Sequence, residues 1–123
     1  MLNKTQLQER GFNAAKKFLI QKGYEILDDN LESEIFDLVA RDCEIVSFIK
    51  INTRQADETG FPEDWFSRSA CEREAEKWLI KNMNDNDPGF RVRFDSISLL
   101  ILSEYRAFLR HHLNVVASED VAS

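Results

Sequence analysis

Nowhere in this 123-residue sequence does an apolar run approach the roughly 20 residues needed to cross a bilayer, and the first residues, MLNKTQLQERG, carry no apolar core of a secretory signal. The expectation is a cytoplasmic protein with no membrane partner. Cysteine is scarce too: Cys43 and Cys71 lie far apart with no CxxC spacing, which excludes a zinc knuckle and a disulfide framework and leaves two free thiols. Only two prolines and four glycines are present, and there is no internal repeat or low-complexity segment. Positive charge is in deficit as well. Sixteen Lys and Arg stand against 22 Asp and Glu, for a formal charge of −6 and a pI near 4.9, whereas a domain that grips a phosphate backbone usually carries a basic face.

What is present is ordinary for a globular chain, with 43% hydrophobic and 31% charged residues. The length predicts one domain over residues 1–116 and a disordered tail over 117–123. Leu7, Gly11, Ala14, Ala15, Phe18 and Leu19 recur at spacings of three and four, which predicts a helix over 5–22 closed by Gly23. YEILDDN reads as a short strand. EIFDLVA (34–40) and EIVSFIKINTR (44–54) read as two strands of a hairpin, separated only by Arg41, Asp42 and Cys43.

A polar stretch with Gly60 and Pro62 then leads into a second helix over 63–83, with Phe66, Ala70, Ala75, Trp78 and Leu79 inward. NDNDPG breaks the chain before a fourth strand at 91–102. Tyr105, Phe108 and Leu109 suggest a last short helix over 103–112. The order is α-β-β-β-α-β-α, an α/β fold. Strand, helix and strand in succession imply a right-handed crossover and a parallel pair, hence a mixed four-stranded sheet flanked by helices.

Three stretches, GFNAAKKFLIQKGYEILDDN, FDLVARDCEIVSFIKINTR and RVRFDSISL, stand in an order and at distances that resemble the YraN-like family of small bacterial proteins. Those are predicted endonucleases, and the likeness runs from about Gly11 to Phe108. The resemblance implies a three-layer restriction-endonuclease-like fold of the PD-(D/E)xK kind. On the family's pattern Asp37 falls on its metal-binding aspartate, while the Glu-x-Lys positions fall on Lys50 and Asn52. The family's helix glutamate falls on Phe12, and the glutamate of its Gly-Glu-Ile-Asp falls on Ile35, with Glu34 one residue away. Arg93, Phe94 and Asp95 match its Arg-Phe-Asp.

Such an enzyme holds Mg2+ between carboxylates on adjacent strands and sets a lysine beside the attacking water. An ammonium at position 50 repels the ion that the second carboxylate would hold. The resemblance therefore implies a catalytically degenerate nuclease fold, kept as a binding or scaffold module, with no cofactor. Lys50 and Asn52 share one face of their strand, and an ion pair from Lys50 to Asp37 would fill the vacated metal site. The alternative is a Mg2+-dependent DNA or RNA endonuclease with Asp37 as metal ligand, Lys50 as its lysine and Glu34, Glu44 or Asp95 as relocated ligands.

Arg54, Arg91 and Arg93, with Arg68, are candidates for a small basic patch that touches nucleic acid. Against it stand Asp57, Glu58, Glu63, Asp64, Glu72, Glu74 and Glu76, which weaken any hold on DNA or RNA; a homodimer or a protein partner is the other expectation. Phe61 and Trp65 flank Pro62 and are expected to tuck onto the core rather than stack on a base. His111 and His112 read as helix C-terminal residues favoured there by partial positive charge.

Overall fold

The computed structural model describes residues 2–55, 67–84 and 89–115. Its first helix, α1 (Lys4–Gln21), opens on a capping box: the Gln6 N–H donates to Asn3 Oδ1 at 2.8 Å, and the Asn3 N–H donates to Gln6 Oε1 at 3.0 Å. It closes in a Schellman turn. Gly23 takes φ 93°, its N–H reaches the Ile20 carbonyl, and the Tyr24 N–H reaches that of Leu19.

The strand β1 (Glu25–Asp28) pairs antiparallel with β2 (Leu38–Asp42), and β2 turns through Cys43 and Glu44 into β3 (Ile45–Gln55). The expected strand over 34–40 begins only at Leu38. Ser33 Oγ accepts from the Ile35 and Phe36 N–H groups, which holds 34–36 in a bend and keeps them off the ladder. The helix α2 (Arg68–Asn82) is capped by Ser67, and β4 (Arg91–Ser103) runs parallel to β3 along its whole length. Residues 56–66, which hold Phe61, Trp65, Phe66 and four of the acidic residues, lie outside the described residues, as does 116–123 with the expected tail.

The last element corrects the sequence reading. Residues expected as a helix over 103–112 form a fifth strand, β5 (Arg106–His112), antiparallel to β4 after a turn at Glu104 and Tyr105. Tyr105 and Phe108, expected inward, are exposed, and Leu109 is half-buried. Pairing with β5 gives protein partners to the backbone groups on the far side of β4, which a helix over 103–112 would have left without them. A three-four spacing over ten residues is too short to outweigh it.

The sheet is therefore five-stranded and mixed, in the order β1-β2-β3-β4-β5. Alternation divides its side chains between two helices. On one face Leu7, Ala15 and Leu19 of α1 pack on Leu38, Ala40, Ile49, Ile97, Leu99 and Ile101. On the other, Cys71, Ala75 and Trp78 of α2 pack on Val39, Val46, Phe48 and Phe94. The approach of α1 requires Gly11. A Cβ there would overlap Thr53 Oγ1 and stand 2.9 Å from Thr53 Cβ and Cγ2, and no rotamer moves a Cβ away.

Candidate functional site

The strand β3 outlasts its neighbour: β2 pairs only as far as Ile49, and β3 continues to Gln55. Asp37, just ahead of β2, closes that pairing. Its N–H donates to the Ile49 carbonyl at 2.9 Å, and its Oδ2 accepts the Ile51 N–H at 2.8 Å. The Lys50 ammonium lies 3.7 Å from the same Oδ2, both side chains being partly exposed. Next along the face is Asn52, only 8% exposed, whose Nδ2 is buried without a hydrogen-bond partner among the described residues. Beyond β2 the chain leaves a cleft of about 810 Å³, walled by Asp37 and residues 50–54 on one side and by Lys4, Gln8, Glu9 and Phe12 of α1 on the other.

Asp37, Lys50, Asn52 and Arg54 thus line one cleft. Arg91 and Arg93 do not join them. Arg91 is level with Ile45, nine residues from Arg54 along β3, or about 30 Å at strand spacing. It pairs with Glu44 at 3.0 Å, while Arg93 grips Asp95 through Nε and Nη2. The patch expected from Arg54, Arg91 and Arg93 is split between two ends of the sheet.

The three alternative ligands also lie elsewhere. Glu44 is held by Arg91, and Glu34 lines a separate hollow with Glu74 and Lys77. Asp95 is wholly buried on the α1 face, where Ser47 Oγ, Arg93, His111 Nε2 and the Asn114 N–H converge on its carboxylate. Burial alone would raise Asp95, but those donors, His111 foremost and then Arg93, Ser47 and Asn114, bring it down to about 2. The Arg93 guanidinium is held above its ordinary value chiefly by its bonds to Asp95.

Glu9 is the carboxylate that the sequence reading missed. It sits three residues before Phe12, hence on the same side of α1, and lines the cleft with Asp37. The i−3 spacing was the available signal. His111 and His112 stand on β5 and not on a helix, so they face opposite sides of the sheet: His111 turns to Asp95, and His112 lies opposite Ser96. Of the acidic residues expected to repel phosphate, Glu74 is already spent. It accepts from Lys77 Nζ, Ser33 Oγ and the Glu34 N–H, with Lys77 the main cause of its lowered pKa.

Among the described residues, no cluster of three His, Cys, Asp or Glu side chains is placed to hold a metal ion. No described helix is long and apolar enough to cross a membrane.

A family model described as "Uncharacterised protein family UPF0102" matches residues 11–99. That span takes in Phe12, Asp37 and residues 50–54, and leaves Lys4, Gln8, Glu9 and β5 outside. A UPF0102 protein of Nocardia farcinica is 29% identical over 114 residues, covering 89% of this chain and 87% of its own. Another, of Chlorobaculum tepidum, is 33% identical over 100 residues, with 79% and 77% covered. A third, of Flavobacterium psychrophilum, is 26% identical over 118 residues, with 91% and 93% covered.

Proposed function

Since this chain belongs to the uncharacterised protein family UPF0102, we propose that it is a catalytically degenerate, nuclease-like binding module of the restriction-endonuclease-like kind. In this reading the cleft beside Asp37 is the remnant of a Mg2+ site. The observation that carries it is the Lys50 ammonium 3.7 Å from Asp37 Oδ2, in the place where a second carboxylate would be needed. A divalent ion on Asp37 would sit within a few ångströms of that positive charge. Two like unit charges about 4 Å apart cost roughly 1 kcal/mol in bulk water and roughly 4 at the effective dielectric of a protein surface, and a doubly charged ion doubles this. Asp37 Oδ2 is moreover engaged by the Ile51 N–H. These residues do not fit Mg2+, and no hydrolytic step is derived through one.

The enzyme reading keeps one supporting observation, the presence of Glu9 in the same cleft. Calorimetric titration with Mg2+ and Mn2+ separates the two. The degenerate reading expects no binding by the natural chain and a gain of binding in Lys50→Glu/Asn52→Lys. Binding by the natural chain that Glu9→Gln abolishes would replace it with the metal-dependent endonuclease, and cleavage assays on single-stranded and branched DNA would follow.

A further inference from the structure

The α2-side face of the sheet changes character abruptly. In β3 the inward residues run Val46, Phe48, then Lys50 and Asn52, and in the parallel neighbour β4 they run Phe94, then Ser96 and Ser98. Both strands switch at the same level, since Phe48 pairs with Phe94 and Lys50 with Ser96. A strand covered on both faces reads as continuously apolar, and at this level the α1 side of β4 does stay apolar, through Ile97, Leu99 and Ile101. This polar stretch, Lys50 to Asn52 and Ser96 to Ser98, lies in the middle of the parallel pair formed by β3 and β4, and on β4 the face turns apolar again at Leu100.

Register fixes what stands there. Lys50, Ser96 and His112 form one row across β3, β4 and β5, and Asn52 lies one step further along β3. Strand spacing puts Lys50 and His112 about 10 Å apart at the backbone. All four side chains offer a donor. The carboxylate beside them, Asp37, already accepts from Ile51 and lies against Lys50. The decisive residue is Asn52: more than nine-tenths buried, with an Nδ2 that no group among the described residues satisfies. An orphan donor of this kind has given up its water without recompense, and an acceptor atom of a ligand would restore the lost hydrogen bond.

We propose that this row binds the tetrahedral oxyanion of a phosphate group, with Lys50 as counter-charge and Asn52, Ser96 and His112 as hydrogen-bond donors. The inference rests on the reading that the metal pair is lost, because an anion then occupies ground that a cation has left.

The test is an amide NMR titration of the full chain at constant ionic strength, with inorganic phosphate and with a short oligothymidylate carrying or lacking a 5′-phosphate. Saturable shifts confined to residues near 50–52, 96–98 and 110–112 are expected. Response to inorganic phosphate and to the 5′-phosphorylated oligomer alone assigns a phosphate monoester. Response to both oligomers but not to inorganic phosphate assigns the nucleic-acid backbone. Lys50→Met should weaken binding at least tenfold, and Asn52→Asp, which keeps the size while reversing donor to acceptor, should abolish it. Lys16→Met, which removes a cation paired with Asp29 on α1, should leave it unchanged.

Absence of shifts in that row with all three ligands overturns the proposal, and so does a Lys50→Met effect no larger than that of Lys16→Met. Failure here is distinct from failure of the degenerate reading. A Lys50→Glu/Asn52→Lys variant that gains Mg2+ while the natural chain ignores phosphate sinks only the anion site.

Discussion

Asp95→Asn keeps the volume of a fully buried side chain and removes the charge on which four donors converge. In the folded protein that carboxyl is held at about 2, against an ordinary 3.8. At 1.36 kcal/mol per unit, the difference amounts to on the order of 2 kcal/mol of stability. Its sign follows from which state binds the proton. Above about pH 5 both folded and unfolded chains carry the anion, and the full stabilisation is present. As pH falls from about 5 towards 2, the unfolded chain takes up a proton that the folded chain refuses, so the stabilisation drains away.

The variant also leaves Arg93, itself mostly buried, without its counter-ion, and breaking a buried pair costs about 3–5 kcal/mol. Urea unfolding followed by circular dichroism should therefore show a loss of about 3–5 kcal/mol at pH 7. The gap to the natural protein should narrow by roughly 1 kcal/mol at pH 3. A loss under 1 kcal/mol at pH 7, or a gap that widens as pH falls, refutes the reasoning.

Gly11→Ala should destabilise by up to about 2 kcal/mol net, overpacking of about 1–3 kcal/mol against Thr53 being offset in part by about 1 kcal/mol of helix propensity. A double-mutant cycle with Thr53→Gly should give a favourable coupling above about 0.5 kcal/mol, and a stabilising Gly11→Ala or an absent coupling would sink the close-approach account. Asn52→Leu removes the unpartnered donor at similar volume and should stabilise by about 1 kcal/mol while erasing the phosphate response; a loss beyond 1 kcal/mol in thermal or urea unfolding contradicts it. Burial, and then Glu72, push the Cys71 thiol up, whereas Cys43 is exposed at the β2–β3 turn. A thiol reagent at pH 8 should label one cysteine in the native protein and the second only in urea, so equal rates would be inconsistent with this packing.

The sequence by itself determined α1 and its closing Gly23, the β2–β3 hairpin, the parallel β3–β4 pair and the existence of α2, because each is written in the spacing and order of apolar segments and in turn-forming residues. Gly23 at φ 93° and the run from Ile45 to Asn52 were legible without any knowledge of neighbours. Alternation put Lys50 and Asn52 on one face, and the family resemblance was what set Asp37 beside them.

Tertiary structure decided the rest. RAFLRHH became β5 because the far edge of β4 lacked a partner, a demand that no window of ten residues records. Glu9 entered the cleft because Gly11 lets α1 settle onto Thr53, and Arg91 and Arg93 left it because register set them at the other end of the sheet. The orphan on Asn52 and the row from Lys50 to His112 arise from three strands lying side by side. Spacing along the chain carries periodicity and turns; alignment between strands is fixed only when backbone groups and buried faces are satisfied together.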